Sequence, residues 1–290
     1  MYHFECFTPG TVEEAISYLA DHGEEARPIA GGTALLILMK TQILTPRRLV
    51  NLKPLRDLEF IRPDGDGFRV GAMTTYRVLE RSEPLRSKLP LLTECIHHVA
   101  TSRIRNVATL GGNICNAEAA SDPPAALLAL EAEVNIQGKT GKRNVPISEF
   151  FKDYYETACG ADELVTEIRI PGMPPRSGSA YESFTGRSQE DKPVASCAAV
   201  LALSGKNGVV DGARLALGGV SPTPIRARAA EELLRGKTLS DDLMAEVEGA
   251  AVAAANPASD VRGSAEFRRE ICKVMVRRAV QRAYERARRI

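Results

Sequence analysis

The chain has 290 residues, more than the roughly 100–200 residues of a typical single domain, and therefore predicts two domains. Hydrophobic residues make up 44% of it and charged residues 26%, which is typical of a globular protein and excludes disordered, collagen-like and coiled-coil chains. Lysine and arginine (38) balance aspartate and glutamate (37). Because such a chain has no strong positive field for a polyphosphate backbone, we expect no nucleic-acid partner.

Apolar runs such as residues 34–39 are far shorter than the roughly 20 residues that span a bilayer. The first ten residues contain neither the basic nor the apolar region of a secretory signal. We therefore expect no membrane span and a cytoplasmic protein. The six cysteines are widely spaced without a C-x-x-C pair, which predicts reduced, mostly buried thiols and no metal or iron–sulfur site.

The first elements surround a glycine turn. Thr11 and Glu14 form a capping box, apolar residues recur on one face, and Gly23 ends the helix. A strand then leads into Gly31-Gly32-Thr33 and a second helix. This crossover favours parallel pairing of the strands on either side of it. The predicted elements are a helix over 11–22, a strand over 27–30, a helix over 35–40 and a strand over 48–52.

Further along, the pattern changes to a hairpin, helices and longer strands. Asp122 before two prolines is a helix start signal, whereas residues 104–122 show no clean period. The predicted elements are strands over 58–62 and 68–72, helices over 75–82, 91–101 and 125–131, and strands over 132–137, 143–147 and 163–170.

Residues 171–179 contain three prolines and two glycines, and we place the domain boundary there. The first domain then covers residues 1–175, with subdomains of about 1–55 and 56–175, and the second covers 176–290. In the second domain the sequence predicts strands over 180–185, 194–204 and 209–217, with a hairpin turn at 205–208. It predicts helices over 225–235, 240–255 and 265–288.

Two glycine pairs are candidate ligand loops. The strand that ends at Gly31-Gly32 and opens a helix suits backbone binding of an anion, although it matches neither the Walker A motif nor G-x-G-x-x-G. Alone, it fits a structural turn equally well. Gly111-Gly112 lies among small hydroxyl and amide side chains. Together the two loops could hold the ends of a pyrophosphate, which favours a dinucleotide.

The four histidines show no metal-ligand spacing, and no nucleophile motif is present. The sequence therefore indicates no acid–base or nucleophilic catalysis by the protein itself. If the chain is part of an enzyme, a bound cofactor must supply the chemistry.

These motifs, in this order, resemble the FAD-binding medium subunit of the molybdenum hydroxylases, the family of xanthine dehydrogenase and carbon monoxide dehydrogenase. The resemblance covers nearly the whole chain. The segments that resemble the family are 30–33, 39–40, 70–75, 104–113, 121–124, 126–128, 150–151, 162–164, 186–191, 218–220 and 277–279.

The resemblance implies an α+β fold: an FAD-binding domain of the vanillyl-alcohol-oxidase (PCMH) type in two subdomains, then a domain with a three-stranded antiparallel sheet and helices. It also implies residue roles. The residues implied at the FAD pyrophosphate are Ile29, Ala30, Gly31, Gly32, Thr33 and Ala34, continued by Thr109, Gly111, Gly112 and Asn113. Those implied elsewhere along FAD are Ser121 and Asp122 at the pyrophosphate or ribityl chain, Leu164 near the adenine or flavin, and Asp191 and Lys192 near the isoalloxazine.

Two departures from the family pattern stand out. The lysine that the family often places close to the flavin falls one or two positions after Lys192, which puts the role of Lys192 in doubt. The cysteine-rich insertion of the aryl-CoA reductase members is absent, since only Cys115 lies in that segment. We therefore expect no [4Fe–4S] cluster in this chain.

The resemblance further implies non-covalent FAD, no catalytic residue acting on the organic substrate, and partners: an iron–sulfur small subunit with [2Fe–2S] clusters and a large subunit with molybdopterin, assembled as a dimer of heterotrimers. NAD+, oxygen or a quinone would accept the electrons. A stand-alone FAD oxidase or dehydrogenase is one alternative, although only His22 could tether a flavin between Cys6 and Cys95. A non-catalytic nucleotide-binding assembly module is the other.

Overall fold

The structure, a computed structural model, describes residues 3–188, 190–205 and 207–290. Helices and strands are mixed along the chain, as an α+β fold requires. The turn predicted at 205–208 includes Lys206, which lies outside the described residues. Three of the six cysteines (Cys95, Cys197 and Cys272) are buried, so the expectation of mostly buried thiols holds for only half of them.

The strands of the N-terminal part are β1 (Glu5–Phe7), β2 (Ala26–Ile29), β3 (Arg48–Asn51), β4 (Ile61–Asp64), β5 (Gly67–Gly71), β6 (Glu133–Gly138), β7 (Gly141–Pro146), β8 (Phe151–Asp153), β9 (Glu156–Thr157) and β10 (Leu164–Ile170). Its helices are α1 (Val12–His22), α2 (Leu35–Lys40), α3 (Tyr76–Arg81), α4 (Glu83–Lys88), α5 (Pro90–His98), α6 (Ser102–Arg105), α7 (Leu110–Asn116), α8 (Asp122–Ala129) and α9 (Ile147–Phe150). The C-terminal part contains β11 (Ser177–Phe184), β12 (Ala195–Ser204), β13 (Val209–Gly218), β14 (Ile225–Arg226), α10 (Arg228–Leu234), α11 (Asp241–Ala254) and α12 (Ala265–Arg288).

A small parallel sheet with the order β1-β3-β2 opens the fold. The predicted parallel pairing is confirmed, with Ile29 opposite Asn51. The predicted cap of α1 is also confirmed, because Thr11 Oγ1 accepts from Glu14 N–H at 3.1 Å. β1 was not predicted, since three residues are too few to show alternation.

A five-stranded antiparallel sheet with the order β4-β5-β10-β6-β7 follows. Its hairpin β4–β5 agrees with the prediction, shifted by a few residues. α7 was not predicted, because Gly111 and Gly112 lie within it and disfavour a helix. α8 begins at Asp122, three residues before the predicted start at 125, and its N-cap is Ser121.

The C-terminal sheet has four strands in the order β11-β12-β13-β14, not the three expected. β14 is only two residues long, lies where a helix was predicted, and pairs Ile225 with Leu217. The predicted linker also ends inside β11, where Ser177 and Ser179 are buried. A strand of two residues after prolines gives no periodic signal, and the linker prediction rested on composition alone.

Both faces of this C-terminal sheet are covered. Tyr181 and Ala198 belong to the core of the five-stranded sheet and α8. Ala199 and Leu215, on the opposite face, pack in the core made with α10, α11 and α12. This explains why nearly every residue of β12 is buried, and it joins the two parts of the chain through a shared core.

Arg268 joins α12 to the loop before β12 and to the loop after β13. It is 3% exposed, and its guanidinium donates to the backbone oxygens of Val194 (2.6 Å) and Gly219 (2.9 Å) and to Asp260 (2.6 Å). Gly219 N–H in turn donates to the oxygen of Ala119. The arginine therefore satisfies buried carbonyls that would otherwise lack a donor.

We expect Arg268→Gln to lower the free energy of unfolding by roughly 2–3 kcal/mol, because hydrogen bonds from a charged donor to buried carbonyls are lost. Urea denaturation monitored by circular dichroism measures the change. Arg278→Gln on the exposed side of the same helix is the matched control and should be neutral. Equal midpoints for the two variants would contradict the anchoring role.

Candidate cofactor-binding site

The two glycine loops, about eighty residues apart in sequence, are in direct contact. A Cβ added to Gly31 would lie 2.7 Å from the carbonyl carbon of Val107 and 2.9 Å from Cα of Ala108. A Cβ on Gly112 would lie 3.3 Å from that of Ala30. Only glycine at position 31 allows the backbones to approach this closely. The loops thus form one continuous surface.

The first loop presents unpaired backbone donors. Within the described part of the chain, no protein acceptor faces the N–H groups of residues 31–34. The loop is half-buried, and Gly32 has a left-handed φ of +70°, which changes the direction of the chain within the loop. Consecutive free amides in such a turn form a concave anion-binding surface. The first loop is therefore a candidate anion-binding surface.

The second loop differs, because its amides are used inside the protein. Leu110 and Gly111 N–H donate to the oxygens of Thr74 and Ala72. Gly112 N–H donates to Thr109 Oγ1 at 3.1 Å, and Asn113 N–H to the Thr109 oxygen. Thr109 is therefore a buried N-cap of α7. This loop offers the exposed glycine surface of Gly112 and the side chain of Asn113, not free amides.

Beyond the second loop lie Ser121 and Asp122, both mostly buried. The Asn113 amide reaches the Ser121 hydroxyl at 2.7 Å. Tyr181 Oη, from the C-terminal sheet, donates to Asp122 Oδ1 at 2.7 Å. Burial raises the pKa of Asp122 to about 7, against the lowering effect of the Tyr181 hydrogen bond. This carboxyl can therefore donate or accept a hydrogen bond near neutral pH.

Glu118 is the residue that sequence reasoning missed. Its Oε2 accepts from Lys192 Nζ at 2.5 Å and from Tyr155 Oη at 2.6 Å. Burial works against ionisation of Glu118, but the hydrogen bonds from Lys192 and Tyr155 prevail, so its pKa is lowered. A single carboxylate in an aperiodic segment gives no signal of this role. The pairing brings Lys192 from the C-terminal part beside the segment that follows the second loop.

The remaining predicted residues lie around this surface in different ways. Leu164 is buried in an apolar cluster that also contains Met73. Ala30 of the first loop packs against this cluster, so Leu164 belongs to the apolar support of that loop. Asp191 is half-buried, whereas Lys192 is exposed. Among the described residues, no group of three or more histidine, cysteine, aspartate or glutamate side chains is arranged to hold a metal ion. None of the described helices is long and apolar enough to cross a membrane.

Comparison with known proteins defines the class. Residues 2–173 match the family described as the FAD binding domain in molybdopterin dehydrogenase, and residues 179–283 match the CO dehydrogenase flavoprotein C-terminal domain. The carbon monoxide dehydrogenase medium chain of Afipia carboxidovorans is 39% identical over 284 residues, 98% of each chain. The putative xanthine dehydrogenase FAD-binding subunit of Escherichia coli K12 is 32% identical, covering 94% of this chain and 93% of that one.

Solved structures agree. Carbon monoxide dehydrogenase from Hydrogenophaga pseudoflava superposes with a TM-score of 0.95 at 36% identity, covering 98% of each chain. Quinoline 2-oxidoreductase from Pseudomonas putida 86 superposes with a TM-score of 0.93 at 30% identity, covering 99% of each chain. The chain therefore belongs to the family of FAD-binding medium subunits of molybdenum hydroxylases, as its motifs predicted, and it is an oxidoreductase subunit.

We expect Gly31→Ala to separate the two loops, because the added methyl group overlaps the Val107 carbonyl. The cost is about 1–3 kcal/mol of stability, measured by thermal or urea unfolding. Gly212→Ala, where a Cβ meets no atom within 4 Å, should leave the midpoint unchanged. Comparable midpoints for both variants would show that the loops do not need this contact.

The raised pKa of Asp122 makes stability depend on pH. Between its ordinary value near 3.8 and about 7, the folded chain retains a proton that the unfolded chain has released. The free energy of unfolding should therefore fall as pH rises through this range, by roughly 1 kcal/mol per pH unit at most.

Urea titrations of the FAD-free chain at pH 5 and pH 7.5 measure this effect. The Asp122→Asn variant should show a smaller loss of stability between the two pH values than the parent chain. Asp211→Asn, at an exposed position of β13, should retain the full loss. The parent chain could instead be more stable at pH 7.5 than at pH 5, with Asp122→Asn removing the difference. The pH dependence would then have the opposite sign, and burial would not be the cause of the pKa shift.

Proposed function

We propose that this chain is the FAD-carrying subunit of a three-component molybdenum hydroxylase. The observation that supports this most strongly is the row of unpaired amides at residues 31–34, pressed against the second glycine loop. FAD, when bound, supplies the redox chemistry that links an iron–sulfur donor to NAD+, oxygen or a quinone. The protein holds and orients the flavin and acts on no organic substrate.

The residues fit the cofactor. A diphosphate carries the negative charge that consecutive free N–H groups bind, and the small residues Ala30, Gly31 and Gly112 leave room for its oxygens to approach. We assign the remaining predicted residues by their places. Thr109 and Gly111 fix the second loop, Asn113, Ser121 and Asp122 supply hydrogen-bonding groups next to it, and Leu164 supports Ile29–Ala34 from below. The positions Thr33 and Ala34 contribute amides only.

Lys192 and Asp191 are proposed to lie near the flavin ring. Glu118 holds the Lys192 ammonium group in place, which ties the loop between β11 and β12 to the segment after the second glycine loop. Because the ion pair is partly buried on the side of Glu118, it limits where the cation can move. Lys192 is then a positive charge held beside the segment that follows the second glycine loop.

The proposed domains are residues 1–175 and 176–290. The family matches, which end at 173 and begin again at 179, support this division. We also propose subdomains of about 1–55 and 56–175. One apolar cluster, with Leu19 and Val50, is shared between them because it also contains Met73 and Leu164, whereas the other, with Phe68 and Val134, lies outside residues 1–55. The second cluster also includes residues of the C-terminal sheet, so we expect the domains to unfold together.

Non-covalent binding is favoured over a tethered flavin. His22 lies in α1, where its Nδ1 is 2.8 Å from the Tyr18 oxygen and its ring stacks on that of Tyr18 at 4.1 Å. This partly buried position gives the imidazole protein partners of its own. After acid precipitation the flavin should therefore remain in the supernatant.

The partners follow from the family. The names of relatives, such as medium chain and complex subunit, are those of one component among several. We propose an iron–sulfur small subunit and a molybdopterin large subunit, joined as a dimer of heterotrimers in the cytoplasm. The [2Fe–2S] clusters and the molybdopterin would lie on those partners, where the organic substrate is chosen.

We expect the purified chain to bind one FAD, to show flavin absorbance, and to have its flavin reduced by an artificial electron donor and reoxidised by an acceptor. Gly31→Ala should bind FAD at least tenfold more weakly than Gly212→Ala, since a displaced first loop loses charge-assisted hydrogen bonds. A chain that ignores FAD but binds another nucleotide stoichiometrically would overturn the proposal. Flavin that binds but is never reduced would favour an assembly module.

A further inference from the structure

A cleft lies between the two parts of the chain, away from the glycine loops. Its volume is about 610 Å³, within the range of sites for small molecules, roughly 300–1,000 Å³. α3, α4 and α5 form one wall, and β11 with the end of α12 forms the other. No residue of 29–34 or 109–113 lines it. It is therefore separate from the candidate cofactor site.

The charged side chains that line this cleft carry a net positive charge. They include Arg77, Arg81, Arg86 and Arg286 against Glu80 and Glu94, an excess of two positive charges when His97 is neutral. Glu80 is already compensated, because its carboxylate contacts Arg77 at 3.0 Å and Arg105 at 3.4 Å. Arg286 is paired with Glu94 at 2.7 Å. Arg86 contacts Glu83 at 3.6 Å, so the unbalanced charge falls mainly on Arg81.

Two polar groups of the cleft lack a partner. Arg81 is exposed at the end of α3, and no carboxylate contacts it in the part of the chain that the structure describes. Ser179, on the opposite wall, is 1% exposed, and its hydroxyl has no hydrogen-bond partner among the described residues. A buried hydroxyl without a partner is rare in folded proteins and indicates a missing ligand or solvent group.

Pro90 and Met173 contribute an apolar part to the lining. The cleft thus combines apolar surface with a guanidinium group that has no protein carboxylate partner among the described residues, and guanidinium groups pair with phosphate through two parallel hydrogen bonds. A phosphate monoester has a charge of about −1.5 to −2 at pH 7, which matches the excess of the lining. We propose that this interdomain cleft binds a small organic phosphate monoester, with Arg81 as its main cation.

The test is calorimetric titration of the full-length chain with phenyl phosphate, in the presence of excess FAD so that the glycine loops are not free to bind the probe. We expect saturable binding of one phenyl phosphate per chain. Arg81→Gln should weaken it about tenfold or more, because a hydrogen-bonded charge pair is lost. Ser179→Ala should weaken it several-fold, and Arg278→Gln on the exposed face of α12 should not change it.

Benzoate and inorganic phosphate identify the ligand class. Weaker binding of both supports a phosphate attached to an apolar body. Tighter binding of benzoate than of phenyl phosphate, no saturable binding of phenyl phosphate, or equal affinity in the parent and Arg81→Gln chains would overturn the proposal. The inference does not rest on FAD binding. In FAD-free protein that carries Gly31→Ala, Arg81→Gln should still weaken the binding of phenyl phosphate.

Discussion

The candidate cofactor site depends on one close contact, that of Gly31 with the backbone of residues 107 and 108. It joins a loop between β2 and α2 to a loop before α7 and leaves no space for a side chain. Since the amides of residues 31–34 have no acceptor in the described protein, they stay available to a ligand. The contact thus holds in place a set of donors that the fold itself does not use.

The two loops have different roles, although their glycine pairs look alike. The second loop uses its own amides in bonds to Thr74, Ala72 and Thr109, so it supports the first loop, which is the candidate binding surface. Rigid support is what a preformed site needs, because a loop that must be ordered on binding loses part of the binding free energy to conformational entropy.

The C-terminal part completes the site through a few polar contacts. Tyr181 bonds Asp122, Lys192 bonds Glu118, and Arg268 holds the carbonyls of Val194 and Gly219. The first two contacts join the C-terminal part to residues 118 and 122. The third holds Gly219, whose N–H donates to the oxygen of Ala119. The four-stranded sheet, covered on both faces, keeps these donors at fixed positions. The candidate site and the packing of the two parts of the chain therefore share residues.

The sequence by itself determined the family, the α+β class, most helices and long strands, and the two glycine loops, because capping residues, periodic apolar positions and collinear motifs are local signals. It missed the short strands β1, β8, β9 and β14 and the short helices α4, α6, α7 and α9, whose length or glycines give no period. Only the tertiary structure decided which loop has free amides, that Glu118 holds Lys192, and that a cationic cleft separates the domains. Those properties depend on which distant groups meet, and hydrogen-bond partners across the fold leave no trace in local sequence.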